Sequence, residues 1–255
     1  MPYAGVWWCG TVRSMTATKT LKQRIRDGEQ LFGASLAMRP DADWLRGIVA
    51  RRPYDFVWVD AQHSPFSEHL LVEFCAAAAE VGVPVVFRLK HTRLTWLVGN
   101  FLDLGPAGIE VPQVETEATV DEAVANFYYP PFGVRSWGGA ARLGWDDQAL
   151  DEYAAYWQQT GTLAMQIESI AAATNAARRF AKDGVDFFTI GPADMNFDIQ
   201  RHPNHPLQSV DDCVRYLAND LQGTGKQVCM RITAGDDPAP YHDMGVTMLL
   251  EAGAS

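Results

Sequence analysis

Residues 84–111 read PVVFRLKHTRLTWLVGNFLDLGPAGIEV. The apolar run PVVFRLK is followed by a helical pattern over Trp96–Leu104 and then by a second apolar run, GIEVP. Neither run alternates apolar with polar residues. A strand that is apolar at successive positions is buried on both faces, as strands of parallel sheets are. The stretch is therefore one strand–helix–strand unit, and the unit repeats in both directions. Upstream, a helix over Leu21–Gly28 leads to strand Leu31–Ala37, a helix over Ala42–Ala50 to PYDFVWVDAQ, and a helix over Glu68–Val81 to PVVFRLK. Downstream, a helix over Glu115–Phe127 gives way to a long excursion, whose Trp and Tyr residues up to Trp157 are expected to pack a loop. Strand LAMQIES, a helix over Ile170–Lys182, strand VDFFTIGPAD, a helix over Val210–Leu221, strand KQVCMRI, a short helix near Tyr241 and strand VTMLLEA follow. Eight such strands, most followed by a helix, predict an α/β fold, a single (β/α)8 TIM barrel, for which about 250 residues suffice. The rival is an open doubly wound sheet. No GxGxxG follows the first strand and no GxxxxGK[ST] occurs, so the phosphate-cradling loops of that rival are missing.

The bulk properties narrow the partners. Hydrophobic residues at 47% and charged residues at 20% allow a large core that needs no disulfide staples. A net charge of −10 argues against nucleic acid and anionic membrane, though not against an anionic substrate held by local positive charge. No run reaches the roughly 18 apolar residues of a membrane span. Of the four cysteines, Cys9, Cys75, Cys213 and Cys229, none forms a CxxC pair, and Cys75 and Cys229 sit in apolar runs as core thiols. A reducing cytoplasm is the expected location. Residues 1–18 read as a leader of unknown function and 19–255 as the barrel. After Glu251 only Ala252, Gly253, Ala254 and Ser255 remain, too few for a helix, so the last helix of the barrel is expected to be missing. Strand eight would then show Leu, Met and Val side chains in a groove between the first and seventh helices. A leader carrying Val6, Trp7 and Trp8, or another chain, should cover it.

Barrel chemistry lies at the C-terminal ends of strands. There the second strand delivers Asp60, Gln62 and His63, the third Arg88, the fifth Gln166 and Glu168, and the sixth Asp194. Glu168 and Asp194, on adjacent strands, can converge, and two carboxylates with open positions suit a hard divalent cation. They could equally cap the helix or turn that follows each strand. Arg88 leaves an apolar strand and needs an anionic partner, either a substrate oxygen or a structural Asp or Glu on a neighbouring strand. His63 could act as a general base or stand as a solvated loop residue.

Read together, these segments resemble the HpcH/HpaI family of class II pyruvate aldolases. The resemblance is carried by VWVDAQHSP (57–65), FLDLGPAGIEVPQVET (101–116), YYPPFGVRSWGG (128–139), MQIES (165–169) and FFTIGPADM (187–195), in order along the chain. It implies a divalent metal (Mg2+, Mn2+ or Co2+) on Glu168 and Asp194. The pyruvate carboxylate would lie on the amides of Ala193 and Asp194, and Arg88 would face the keto oxygen and the developing enolate. It further implies His63, paired with Asp103, as the acid/base for the aldol hydroxyl, and Asp60, Gln62 and Gln166 as supports around the metal and the substrate. The implied substrates are a small keto acid and an aldehyde, and the implied assembly is a homo-oligomer. Three features depart from the family pattern. Gln62 stands where the family has Glu, Ser136 and bulky Trp137 follow the arginine of the YPP segment and should reshape the substrate mouth, and the terminal helix is lacking. Related chemistry through the same enolate, such as oxaloacetate decarboxylation, and a barrel that binds a keto acid without catalysis are the alternatives.

Overall fold

The computed structural model describes residues 19–138, 141–145 and 149–253. Eight parallel strands close on themselves in sequence order: β1 (Leu31–Ser35), β2 (Phe56–Asp60), β3 (Val85–Arg88), β4 (Gly108–Val111), β5 (Thr162–Ile167), β6 (Phe187–Ile190), β7 (Gln227–Thr233) and β8 (Met248–Ala252). The closing pair, β1 with β8, is in register from Leu31 opposite Met248 to Ser35 opposite Ala252. Outward residues such as Val57, Val59, Phe87, Ile109, Leu163, Met165, Phe188 and Leu249 join one core beneath the helices. Inward residues form a second core, with Leu31, Phe56, Phe187 and Met248 at its base. Gly33 makes this base possible, because a Cβ there would collide with the Phe56 ring. These four side chains are at most 1% exposed, and each contributes about 2 kcal/mol by leaving water. They seal the barrel from below.

The helices begin where short polar side chains can cap them. Thr20, Asp41, Ser67, Thr116, Ser169 and Ser209 each accept an amide two or three residues into the following helix. The predicted helix over Ile170–Lys182 is an α-helix, Ile170–Asn175, that widens into a π-turn at Ala176–Phe180. Two further helices were not expected. Leu150–Thr160 occupies part of the predicted loop, burying Tyr153 and Trp157 four residues apart on one face. Pro192–Arg201 follows β6 directly, with proline in its first turn.

The expectation of an exposed groove along strand eight is corrected. By alternation only Leu249 and Glu251 of β8 face outward. Leu249 is fully buried, and Glu251 accepts from Arg52, Tyr54 and the amide of Gly235. The short strand leaves one apolar side chain to cover and one carboxylate that the neighbouring loops neutralise. The reading of residues 1–18 as a leader lies outside the described residues. Cys75, Cys213 and Cys229 are buried free thiols.

Candidate active site

Arg88 ends β3 and turns into the barrel, only 6% exposed. Its Nε and Nη2 donate to Asp60 Oδ1 and Oδ2 at 2.8 and 2.7 Å, a two-pronged pair with the neighbouring strand. Its Nη1 donates to Gln166 Oε1 at 3.2 Å, and its plane lies over the Trp58 ring, 4.8 Å from the centroid. Asp60 also accepts the amides of Gln62 and His63. Burial works against the Asp60 charge, but the Arg88 bonds, its charge and the two amides outweigh it and hold the carboxyl below its ordinary range. The structural partner and the catalytic use of Arg88 are compatible. Three of its five N–H groups are engaged, and two remain.

Glu168 follows β5 and is 7% exposed, with Oε2 buried and without a partner among the described residues. Burial first, then the charge of Asp194, push its carboxyl up to about 7. Gly191, between β6 and the helix Pro192–Arg201, is where this carboxylate lies, since a Cβ there would collide with Oε1. Asp194 is exposed in the first turn of that helix, and no side chain caps the helix. Neither residue caps a helix; Ser169 caps the one after β5, and no side chain among the described residues caps the one after β6. The amides of Ala193 and Asp194 precede the first backbone bond of the helix, Met195 to Gly191, so neither has an acceptor within it. Glu168 and Asp194 line one open cleft of about 720 Å3, together with Thr92, Gln113, Glu115 and Phe197. The orphaned buried oxygen, the glycine-sized cradle and the all-oxygen donor set fit a hard divalent cation completed by water or substrate oxygens.

Not every expected residue joins them. His63 is exposed at the mouth, just past β2. Asp103 lies just before β4, at the opposite end of the barrel, and its partner is Arg135, Nη2 to Oδ1 at 2.7 Å. The chain does not bring His63 and Asp103 together: strand polarity separates residues that follow one strand from those that precede another. Trp137 belongs to the same far pole, packing on Tyr129, Tyr153 and Arg142 rather than at this chain's mouth. Gln62 stays by Asp60 through its amide, with its Oε1 buried and unpartnered.

Three residues of the site were missed. Glu110, on β4, is 1% exposed and accepts from Trp58 Nε1 at 3.1 Å and from Arg231 Nη2 at 3.3 Å. Arg231, on β7, lies over the same Trp58 ring at 3.9 Å. Each is one charged or aromatic residue inside an apolar run, and only strand parity marks it as inward.

A family profile described as HpcH/HpaI aldolase/citrate lyase matches residues 41–227. A hydroxypyruvate/pyruvate aldolase of Delftia acidovorans is 30% identical over 227 residues, covering 88% of this chain and 82% of that protein. A 2-keto-3-deoxy-L-rhamnonate aldolase of Escherichia coli is 27% identical over 224 residues, covering 86% and 81%. In fold the chain is similar to an HpcH/HpaI aldolase from Desulfitobacterium hafniense, with a TM-score of 0.80 at 24% identity over 92% of this chain and 90% of that one.

Proposed function

Because the chain belongs to the HpcH/HpaI aldolase/citrate lyase family, we propose that it is a divalent-metal-dependent aldolase, a carbon–carbon lyase. It makes or cleaves 4-hydroxy-2-keto acids through the enolate of pyruvate or a close relative such as hydroxypyruvate. The observation that carries this reading is Glu168, a carboxylate buried beside a second carboxylate with one oxygen unpartnered. Glu168 and Asp194 would hold the cation, Mg2+, Mn2+ or Co2+. When bound, it supplies Lewis acidity toward the keto acid oxygens.

The chain's own residues do the rest. The free amides of Ala193 and Asp194 receive the keto acid carboxylate at a helix N-terminus. Arg88, immobilised by Asp60 and Gln166, directs its two remaining N–H groups at the oxygen where negative charge grows as the carbon–carbon bond breaks. Its orientation is fixed before substrate arrives, so little reorganisation is needed during the reaction. His63, at the mouth, exchanges the proton of the aldol hydroxyl. Asp103 can serve His63 only if a second copy presents its far pole, so the reading includes a homo-oligomer. Free buried thiols and the acidic surface support a cytoplasmic setting.

The test is product analysis with Mg2+, Mn2+ and Co2+. A 4-hydroxy-2-keto acid should yield pyruvate and an aldehyde, and Asp194→Ala should abolish that cleavage. Turnover of oxaloacetate alone, with no cleavage of any hydroxy keto acid, would reassign the chemistry to decarboxylation.

A further inference from the structure

By strand alternation Arg88, Gln166 and Arg231 are inward positions in the mouth-side half of β3, β5 and β7. The first two already belong to the site. In a closed barrel of eight, β3 and β7 are diametrically opposite, so Arg231 faces Arg88 across the mouth, with the Trp58 ring beneath both. The two arginines are held differently. Arg88 is clamped by both oxygens of Asp60, whereas Arg231 makes a single 3.3 Å bond to Glu110. Four of its five N–H groups have no partner among the described residues. Its side chain is 21% exposed, while the barrel beneath is sealed by residues at most 1% exposed, so that exposure opens upward into the mouth. Placing a guanidinium there requires a buried carboxylate, Glu110, that no reading of the aldol chemistry uses.

We propose that Arg231 determines specificity, receiving a carboxylate on the carbonyl partner to which the enolate adds, so that the preferred acceptors are oxo acids. This rests on the aldolase reading above. That reading already gives the keto acid carboxylate to the amides of Ala193 and Asp194 and its keto oxygen to Arg88. An electrophile approaching the enolate from the opposite wall meets Arg231. A planar guanidinium with adjacent free N–H groups matches a carboxylate two-pronged, and a neutral aldehyde gains nothing from it.

The experiment measures kcat/KM for addition of pyruvate, with Mg2+, to paired acceptors: glyoxylate against glycolaldehyde, and 4-oxobutanoate against butanal. The wild-type enzyme should favour the acid in at least one pair. In the double variant R231M/E110Q, which removes both charges and so leaves no buried charge unpaired, the acid-to-neutral ratio should fall on the order of a hundredfold. Arg231→Lys, which keeps the charge and loses the fork, should lower it by roughly tenfold. If the double variant does not fold, Arg231→Lys decides. A preference for neutral aldehydes in both pairs, or a ratio unchanged in the variants that fold, overturns the proposal. Exchange of the pyruvate methyl protons in deuterated water is measured first on the wild-type enzyme. Its absence defeats the aldolase reading itself, while its presence with an unchanged ratio defeats only the role of Arg231.

Discussion

The two poles of the barrel each bury an ion pair, and the networks around the two pairs differ in what is left over. At the N-terminal pole Lys22 is fully buried and donates three bonds, to Asp186 Oδ2 at 3.0 Å, Tyr128 Oη at 2.7 Å and the Gly161 carbonyl at 2.7 Å. Tyr128 passes a bond on to the Gly184 carbonyl, and Asp186 also accepts the Leu163 amide. Each ammonium proton is used. Desolvation still lowers the Lys22 value despite the pull of Asp186. At the C-terminal pole Arg88 keeps two free N–H groups, Arg231 keeps four, and Glu168 Oε2 and Gln62 Oε1 have no partner. A saturated buried network serves the fold, whereas an unpartnered buried group calls for an explanation, and beside an open cleft a ligand supplies one. Residue type alone does not distinguish the two networks; the satisfaction of their donors and acceptors does, although Tyr129 Oη, Arg135 Nε and Nη1 and Arg142 Nε, elsewhere at the far pole, are also without partners among the described residues.

The largest way to break this comparison is at the closed pole. Lys22→Met strands Asp186 in the interior and should cost about 3–5 kcal/mol of unfolding free energy by denaturant titration. The kcat of the remaining folded protein should stay near that of the wild-type enzyme. A small loss would show that the closed pole does not anchor the fold. At the open pole Arg88→Lys keeps the charge but cannot span both Asp60 oxygens. Its kcat/KM should fall by roughly 10²–10³-fold, the cost of losing an aligned oxyanion donor. Retained activity would remove Arg88 from the reaction.

Much of this was legible in the sequence. The eight apolar runs announced a parallel barrel, and the polar residues ending β2, β3, β5 and β6 do gather at one mouth. The helix LDEYAAYWQQT went unread because its buried face is aromatic, although Tyr153 and Trp157 stand one helical turn apart. PADMNFDIQR passed for a turn because its start carries chemistry, yet its proline marked a first helical turn. Glu110 and Arg231 were hidden for a different reason. A single charge within an apolar run can face helices or barrel interior, and the register that decides this is set by pairing across the whole sheet. Within one chain His63 and Asp103 lie at opposite poles, since one follows a strand and the other precedes one.

A smaller effect sharpens the comparison through pH. Glu168 is raised from its ordinary 4.5 to about 7, so the folded state binds its proton more tightly than the unfolded state. In EDTA this carboxyl should therefore cost nothing below its unfolded value and destabilise increasingly as pH climbs toward 7. Its penalty should be complete above that. Glu168→Gln should melt higher than the wild-type protein at about pH 8 and show little difference near pH 4.5. Adding Mg2+ should raise the wild-type Tm at pH 8 and leave the variant unchanged. Equal melting temperatures across that window would mean that the open pole carries no frustrated charge.

The central claim is that the open pole makes an enolate under cation control. It is tested most directly by proton NMR of pyruvate in deuterated water with the metal-stripped protein. Loss of the methyl signal should begin when Mg2+ is added, cease with excess EDTA, and be absent in Asp194→Ala. Exchange that continues undiminished in EDTA or in Asp194→Ala, or that no divalent cation elicits, would contradict the account.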